Sequence, residues 1–320
     1  MPPRCARTVP SPPGNRFLRA LTSLLLSLSL LAARAGAASF PLPEPEDDLV
    51  GAVAVIPARP QDTLVDIARH NDVGQDAIVL ANPTVDRWLP GAGTPVVLPL
   101  QFILPATPYR GVVLNLPEMR LYFYPEPAAE QRAEVITYPV SIGRMDWATP
   151  LGETRINTRD RDPSWRPPAS IRAEHAAQGD PLPAVVPPGP DNPLGRYALR
   201  LAMPGYLLHG TNKPFGVGMR VSHGCIRLLP EDIEDLFERV AVGTPVRIVN
   251  QPVKAGWLDG VLYLEVHPPL EEESWQPQTL REQALAAIAV AQLGRPARLD
   301  QTALDRALAA PSGMPVAISR

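Results

Sequence analysis

Cysteine is almost absent from this 320-residue chain; there are two, Cys5 and Cys225. That rules out a disulfide framework, and with no Cys-x-x-Cys pair it argues against the common structural zinc sites. An excess of charge is also missing. The formal net charge is -3, so there is no basic footprint for nucleic acid. Past residue 37 no run is apolar enough to cross a bilayer, which takes about 20 consecutive residues. Proline, by contrast, is abundant at 41 residues, more than double the average usage of about 5%. Helical bundles and coiled coils are thereby disfavoured, and a β-rich body with stiff, extended loops is expected.

The first residues read as a secretory leader spanning 1–37. Arg4, Arg7, Arg16 and Arg19 form a positive start, and Ala20 to Ala33 is an apolar core too short to span with ease. Ala35-Gly36-Ala37 supplies the small residues that a signal peptidase needs. Cys5 precedes the apolar core and leaves with it, so Cys225 becomes a lone thiol in an exported, soluble protein. Residues 38–49, with proline and acids alternating from Pro41 to Asp48, read as a stiff linker.

From 50 to 99 a compact segment follows. Val53 to Ile56 reads as a strand, and Asp62 or Thr63 caps a helix whose Leu64, Ile67 and Ala68 share a face. A second helix covers Gln75 to Ala81, ending at Asn82-Pro83, and Val96 to Leu98 returns as a strand. With Leu89-Pro90-Gly91-Ala92-Gly93 between them, these stretches resemble a LysM module, which implies affinity for N-acetylglucosamine-containing glycan. Gln61 stands where that family usually has glycine.

The larger body runs from 109 to 250. Val112 to Leu116 and Arg120 to Tyr124 flank a Pro117-Glu118 turn as a hairpin. Val135 to Ile142 is a strand whose Pro139 suggests an edge or bulge. Further strands are expected at Glu153 to Asn157, Tyr197 to Leu201, Tyr206 to His209 and Val246 to Val249. A helix starts at Pro230 with acids in its first turn. Asp162 to Pro193 has no regular pattern and reads as a lid or cleft wall. In the extension, 251–320, one strand at Val261 to Val266 and two helices at Thr279 to Leu293 and Gln301 to Ala309 are expected. His175 and His267 read as ordinary surface or loop residues.

The chemistry gathers in Leu208-His209-Gly210-Thr211 and Val221-Ser222-His223-Gly224-Cys225-Ile226-Arg227. An exported thiol without a partner, beside two histidines and several glycines, reads as a nucleophile. A thiol of pKa about 8.5 needs a base to ionise it at neutral pH. His223 leaves an extended segment on the same face as Cys225, whereas His209 ends a separate strand and can approach from the side. Gly224 keeps the approach open, so that backbone N–H groups can hold an oxyanion, and Ser222 can fix the turn. Arg227 suits a carboxylate of the substrate. Zinc on His209, His223 and Cys225 is the competing reading, but it lacks a fourth ligand.

This pattern, a histidine followed some fifteen residues later by Ser-His-Gly-Cys, resembles the L,D-transpeptidases of the YkuD type. Ser141-Ile142-Gly143-Arg144, Thr149-Pro150-Leu151-Gly152 and the stretch from Pro187 to Gly195 support the likeness. Arg227 stands where many members have asparagine, as in a periplasmic branch that carries an N-terminal LysM module. The resemblance implies a mainly β catalytic domain, a YkuD-like β-sandwich with a short helix after the cysteine, and a helical tail. It further implies Cys225 as nucleophile and His209 as base, with Ser222, His223 and Gly224 orienting the turn and Arg227 and Gly210 at the substrate. The expected substrate is a peptidoglycan tetrapeptide stem, cut between the diamino acid and D-alanine with no metal or other cofactor. The acyl group would pass to another stem or to an outer-membrane lipoprotein. Water as acceptor would give an L,D-carboxypeptidase or amidase-type hydrolase. A wall-binding scaffold without catalysis is the non-enzymatic alternative.

Overall fold

A computed structural model describes residues 37–129, 131–144, 147–270 and 276–320; the expected leader lies outside the described residues, apart from Ala37. Ala38–Pro41, expected to open a linker, is instead strand β1, paired antiparallel with Glu134–Thr137. Phe40 anchors it by packing edge-on against Phe102, with ring centroids 6.3 Å apart. A short strand β2 (Leu49–Gly51) follows.

Next come β3 (Ala54–Pro57), α1 (Leu64–His70), α2 (Gln75–Ala81) and β4 (Pro95–Leu98), in the order read from the sequence. Thr63 caps α1: its hydroxyl oxygen accepts from the Asp66 N–H at 3.0 Å, and Asp66 accepts from the Thr63 N–H at 3.1 Å. Two otherwise orphaned donors are satisfied reciprocally. Asn82 ends α2 by clasping β4. Its Nδ2 donates to the Val97 carbonyl and its Oδ1 accepts from the Val97 N–H, each at 2.8 Å. Leu64, Ile67, Ile78, Val96 and Leu98 form a core of their own beneath the β3–β4 pair. Strand β5 (Gln101–Ile103) then pairs back with β2.

The body comprises the expected hairpin β6 (Gly111–Asn115) and β7 (Arg120–Tyr124), β8 (Glu134–Gly143), β9 (Gly152–Arg161), α3 (Ala169–Ala177), β10 (Tyr197–Leu201), β11 (Leu207–His209), β12 (Arg220–Ser222), β13 (Ile226–Leu228), α4 (Pro230–Arg239) and β14 (Pro245–Val249). The hydrogen-bonded order β8-β13-β11-β10-β9-β14-β6-β7 returns to β8, and β1 and β12 attach along β8. A sandwich was expected; the sheet closes on itself instead, like a barrel. The cause is β8, which pairs with β1 and β7 up to Pro139 and with β13 and β12 beyond it. Pro139 therefore marks a change of partners rather than an edge. One strand serving two sets of neighbours curls a single sheet around a single core. Leu114, Tyr138, Ile156, Leu199, Leu208, Ile226 and Ile248 fill that core together with Ile233 and Leu236 of α4.

The C-terminal part is not a helical tail. β15 (Val253–Leu258), β16 (Val261–Val266) and β17 (Val316–Ala317) form an antiparallel sheet packed with α5 (Pro277–Ala291) and α6 (Gln301–Ala309). Trp257, Leu262, Leu280, Ile288, Leu304 and Ile318 give it a separate core. Its β15 escaped the sequence reading because it carries Lys254 and Gly256. Lys254 is buried because its Nζ finds three acceptors: Ile103 O at 2.6 Å, Glu118 at 3.0 Å and Glu265 at 2.8 Å. Tyr122 and Asn115 also donate to Glu118. His267, read as an ordinary surface or loop residue, follows the end of β16 but is buried and lies 2.7 Å from Glu265. Glu118, Glu265 and His267 are close enough together to chelate an ion, but the Lys254 ammonium supplies the positive charge. This network fastens the C-terminal unit to the barrel.

Candidate active site

β11 and β13 run parallel, with Leu208 opposite Ile226 and His209 opposite Arg227. Leu208, Ile226 and Leu228 face the core. By the period of two, His209 and Arg227 face the other way, and Cys225, one residue ahead of β13, falls on their side. The Leu207 N–H reaches the Cys225 sulfur, and the thiol donates to the Gly205 carbonyl at 3.6 Å. His209 thus stands opposite Arg227, which is two residues along the chain from Cys225.

His209 is only 4% exposed. Its Nδ1 lies 2.7 Å from the Gly210 carbonyl. A carbonyl can only accept, so the proton sits on Nδ1 and the lone pair on Nε2; the Leu194 backbone also lies within hydrogen-bonding reach of the ring. Burial, then the Arg227 cation, pushes its pKa down to about 3. The imidazole is therefore neutral and available as a base. Gly210, expected at the substrate, serves here as the acceptor that orients His209. It also borders a cavity of about 620 Å³ shared with Thr211, Asn212, Glu231 and Glu234.

Burial pushes the Cys225 thiol up, while the Leu207 N–H and the Arg227 and Arg200 cations draw it back. Thiol and imidazole are thus each biased toward the neutral form. The buried Nε of Arg227 has no acceptor among the described residues, so its guanidinium faces the site with hydrogen-bonding capacity unused.

The turn that carries Cys225 is held from several sides. Ser222 donates its hydroxyl to the Cys225 carbonyl. Gly224 adopts φ +90°, and a Cβ there would lie 3.0 Å from the Tyr206 ring; both the backbone and the space call for glycine. The Nε2 of His223 lies 3.0 Å from Glu174, and its ring meets Trp147 edge-on at 5.3 Å. Glu174 also accepts from Arg144 at 2.6 Å, and Arg144 first, then His223, holds its carboxyl below the ordinary range. His223 is thus held from outside the turn by Glu174 and Trp147. Because Glu174 belongs to α3, the 162–193 insertion is tied to the turn. Among the described residues only Glu118, Glu265 and His267 gather closely enough to share an ion, so the zinc reading on His209, His223 and Cys225 gains no support. Sequence reasoning missed Glu174 and Thr149. Glu174 lies in an unpatterned segment, and the only trace of Thr149 was its place in Thr149-Pro150-Leu151-Gly152.

Residues 109–248 match the YkuD-type L,D-transpeptidase catalytic domain, and residues 252–318 match the L,D-transpeptidase C-terminal domain. The probable L,D-transpeptidase YbiS of Escherichia coli (strain K12) is 41% identical over 311 residues, covering 95% of this chain and 100% of that protein. This chain belongs to the L,D-transpeptidase family. A second L,D-transpeptidase of the same strain, the probable enzyme YcfS, is 41% identical over 313 residues and 96% of each chain. The probable L,D-transpeptidase ErfK/SrfK of Salmonella typhimurium is 40% identical over 288 residues, 88% of this chain and 92% of its own. The second domain match coincides with the β15–β17 unit, so the extension is a recognised domain of L,D-transpeptidases.

Proposed function

We propose that this L,D-transpeptidase cuts the diamino acid–D-alanine bond of a peptidoglycan tetrapeptide stem through a thioester on Cys225. The observation that carries the reading is the placing of the only free thiol among the described residues on one face with His209 and Arg227. His209 Nε2 takes the thiol proton as sulfur bonds to the carbonyl carbon, and backbone N–H groups of the Gly224–Cys225 turn receive the oxyanion. The intermediate collapses when His209 passes that proton to the D-alanine nitrogen, which departs as the amine. An acceptor amine then attacks the thioester, His209 removes its proton, the C–S bond breaks and the sulfur is reprotonated. An amine from a second stem gives a 3→3 cross-link, the terminal lysine of an outer-membrane lipoprotein gives attachment, and water gives carboxypeptidase activity. The unused hydrogen-bonding capacity of Arg227 suits a stem carboxylate.

The β3–β4 module serves, in this reading, as a LysM-like glycan holder. Trp88, 58% exposed and with Arg87 5.6 Å from its ring, supports that role. Export to the periplasm, with cleavage after Ala37, would start the mature chain on β1. The test is mass spectrometry of the purified protein after exposure to a tetrapeptide or a carbapenem. An adduct on Cys225, abolished together with D-alanine release in Cys225→Ala, is expected; an unmodified Cys225 under neutral, reducing conditions overturns the proposal.

A further inference from the structure

We infer that Thr149 is a positioning residue whose hydroxyl orients the Gly224–Cys225 peptide, so that the Cys225 N–H meets the developing oxyanion. This rests on the thioester reading above. Thr149 is 6% exposed and lies between two backbone groups. Its Oγ1 accepts from the Gly143 N–H at 3.0 Å and donates to the Gly224 carbonyl at 3.0 Å. The direction is fixed by chemistry, because an N–H can only donate and a carbonyl can only accept.

A planar trans peptide points its N–H opposite to its C=O, and no cis bond occurs among the described residues. Holding the Gly224 oxygen therefore aims the Cys225 N–H the other way. Among the described residues no backbone acceptor takes that N–H. The tether matters at this position because Gly224, at φ +90°, has the backbone freedom to rotate its peptide. Packing keeps the relay short. A Cβ on Gly143 would stand 2.0 Å from the Trp147 carbonyl oxygen and 3.0 Å from the Gly224 Cα. The carbonyl on the other side of the sulfur, that of Cys225 itself, is held by the Ser222 hydroxyl. Both peptides flanking the nucleophile are thus pinned through their oxygens by hydroxyls. Oxyanion donors work only when already aimed, and losing one typically costs about 10²–10³ in rate. A group that merely aims the donor is expected to cost about 10–100-fold.

The experiment compares Thr149→Val, Thr149→Ser and wild type in two reactions of Cys225. Acylation by a carbapenem develops an oxyanion, whereas alkylation by iodoacetamide displaces iodide from a saturated carbon and develops none at the turn. Thr149→Val should slow acylation by about 10–100-fold at unchanged half-saturation, with alkylation within about twofold of wild type. Serine should keep both rates within about threefold. A valine variant that acylates at the wild-type rate overturns the inference, and so does one whose alkylation falls in parallel. Should valine prevent folding, Thr149→Ala takes its place, and equal acylation by the alanine and serine variants is the refuting result. Wild-type protein that carbapenem leaves unacylated defeats the thioester reading instead, which keeps the two failures apart.

Discussion

Arg227→Ala removes a cation that holds down both the thiol and the imidazole of the site. Two steps along an extended segment, at about 3.3 Å each, set Arg227 about 7 Å from Cys225. At an effective dielectric of about 20, unit charges at that distance interact by roughly 2 kcal/mol. Solvent screening of the half-buried thiol reduces this to about 1 kcal/mol, or about fivefold in thiolate population at a given pH. The assay is the rate of iodoacetamide alkylation between about pH 5 and pH 9. Because burial raises the thiol and His209 is neutral, the wild-type rate should climb about tenfold per pH unit through neutrality, with no plateau on the acid side. Arg227→Ala should move the curve to higher pH and slow alkylation about fivefold at pH 7, while Arg227→Lys stays near wild type. Two results would refute this reasoning. One is an acid plateau in the wild type, the mark of a resting thiolate–imidazolium pair. The other is an alanine variant that alkylates as fast as its parent.

Two further perturbations test how the parts are joined. Half-buried Asp72 of the N-terminal module and buried Asp232 of α4 are in contact; desolvation pushes Asp72 up to about 6 and Asp232 well above the carboxylate range. Raised carboxyl values mean that the folded state binds these protons more tightly than the unfolded state, so their stabilisation is present at low pH and lost as pH rises from about 4 through 6 and beyond. Asp232→Asn, which mimics the protonated form, should raise the melting temperature at pH 7.5 and flatten its slope between pH 4 and 6; an unaltered slope in thermal scans contradicts the account. Lys254→Met leaves Glu118 and Glu265 buried without their cation and should cost about 3–5 kcal/mol in denaturant unfolding, with a loss below about 1 kcal/mol as the contrary result.

The residues of the proposed chemistry could be picked out in the chain because their pattern is local. The four residues from Ser222 to Cys225, the lone thiol and the upstream His209 need only spacing to be read. The helices α1, α2 and α6 declare themselves through periodicity and caps such as Thr63. The Gly224 turn was visible because its glycine follows a histidine and precedes the cysteine.

What the linear order could not express depends on partners distant along the chain. The strands β12 and β13 are three residues each, too short to show a period, and they exist because β8 offers them an edge past Pro139. Closure of the sheet follows from that edge and from no local pattern. Glu174 reaches His223 across 49 positions, Thr149 reaches Gly224 across 75, and Lys254 reaches Glu118 across 136. Thr149 and Lys254 are polar side chains whose burial is favourable only once their partners have arrived. The amino-acid order by itself determined which sulfur and which imidazole are candidates for the proposed chemistry. Tertiary structure decided how they are aimed, since aim is a property of carbonyls, hydroxyls and charges that only folding brings within hydrogen-bond reach.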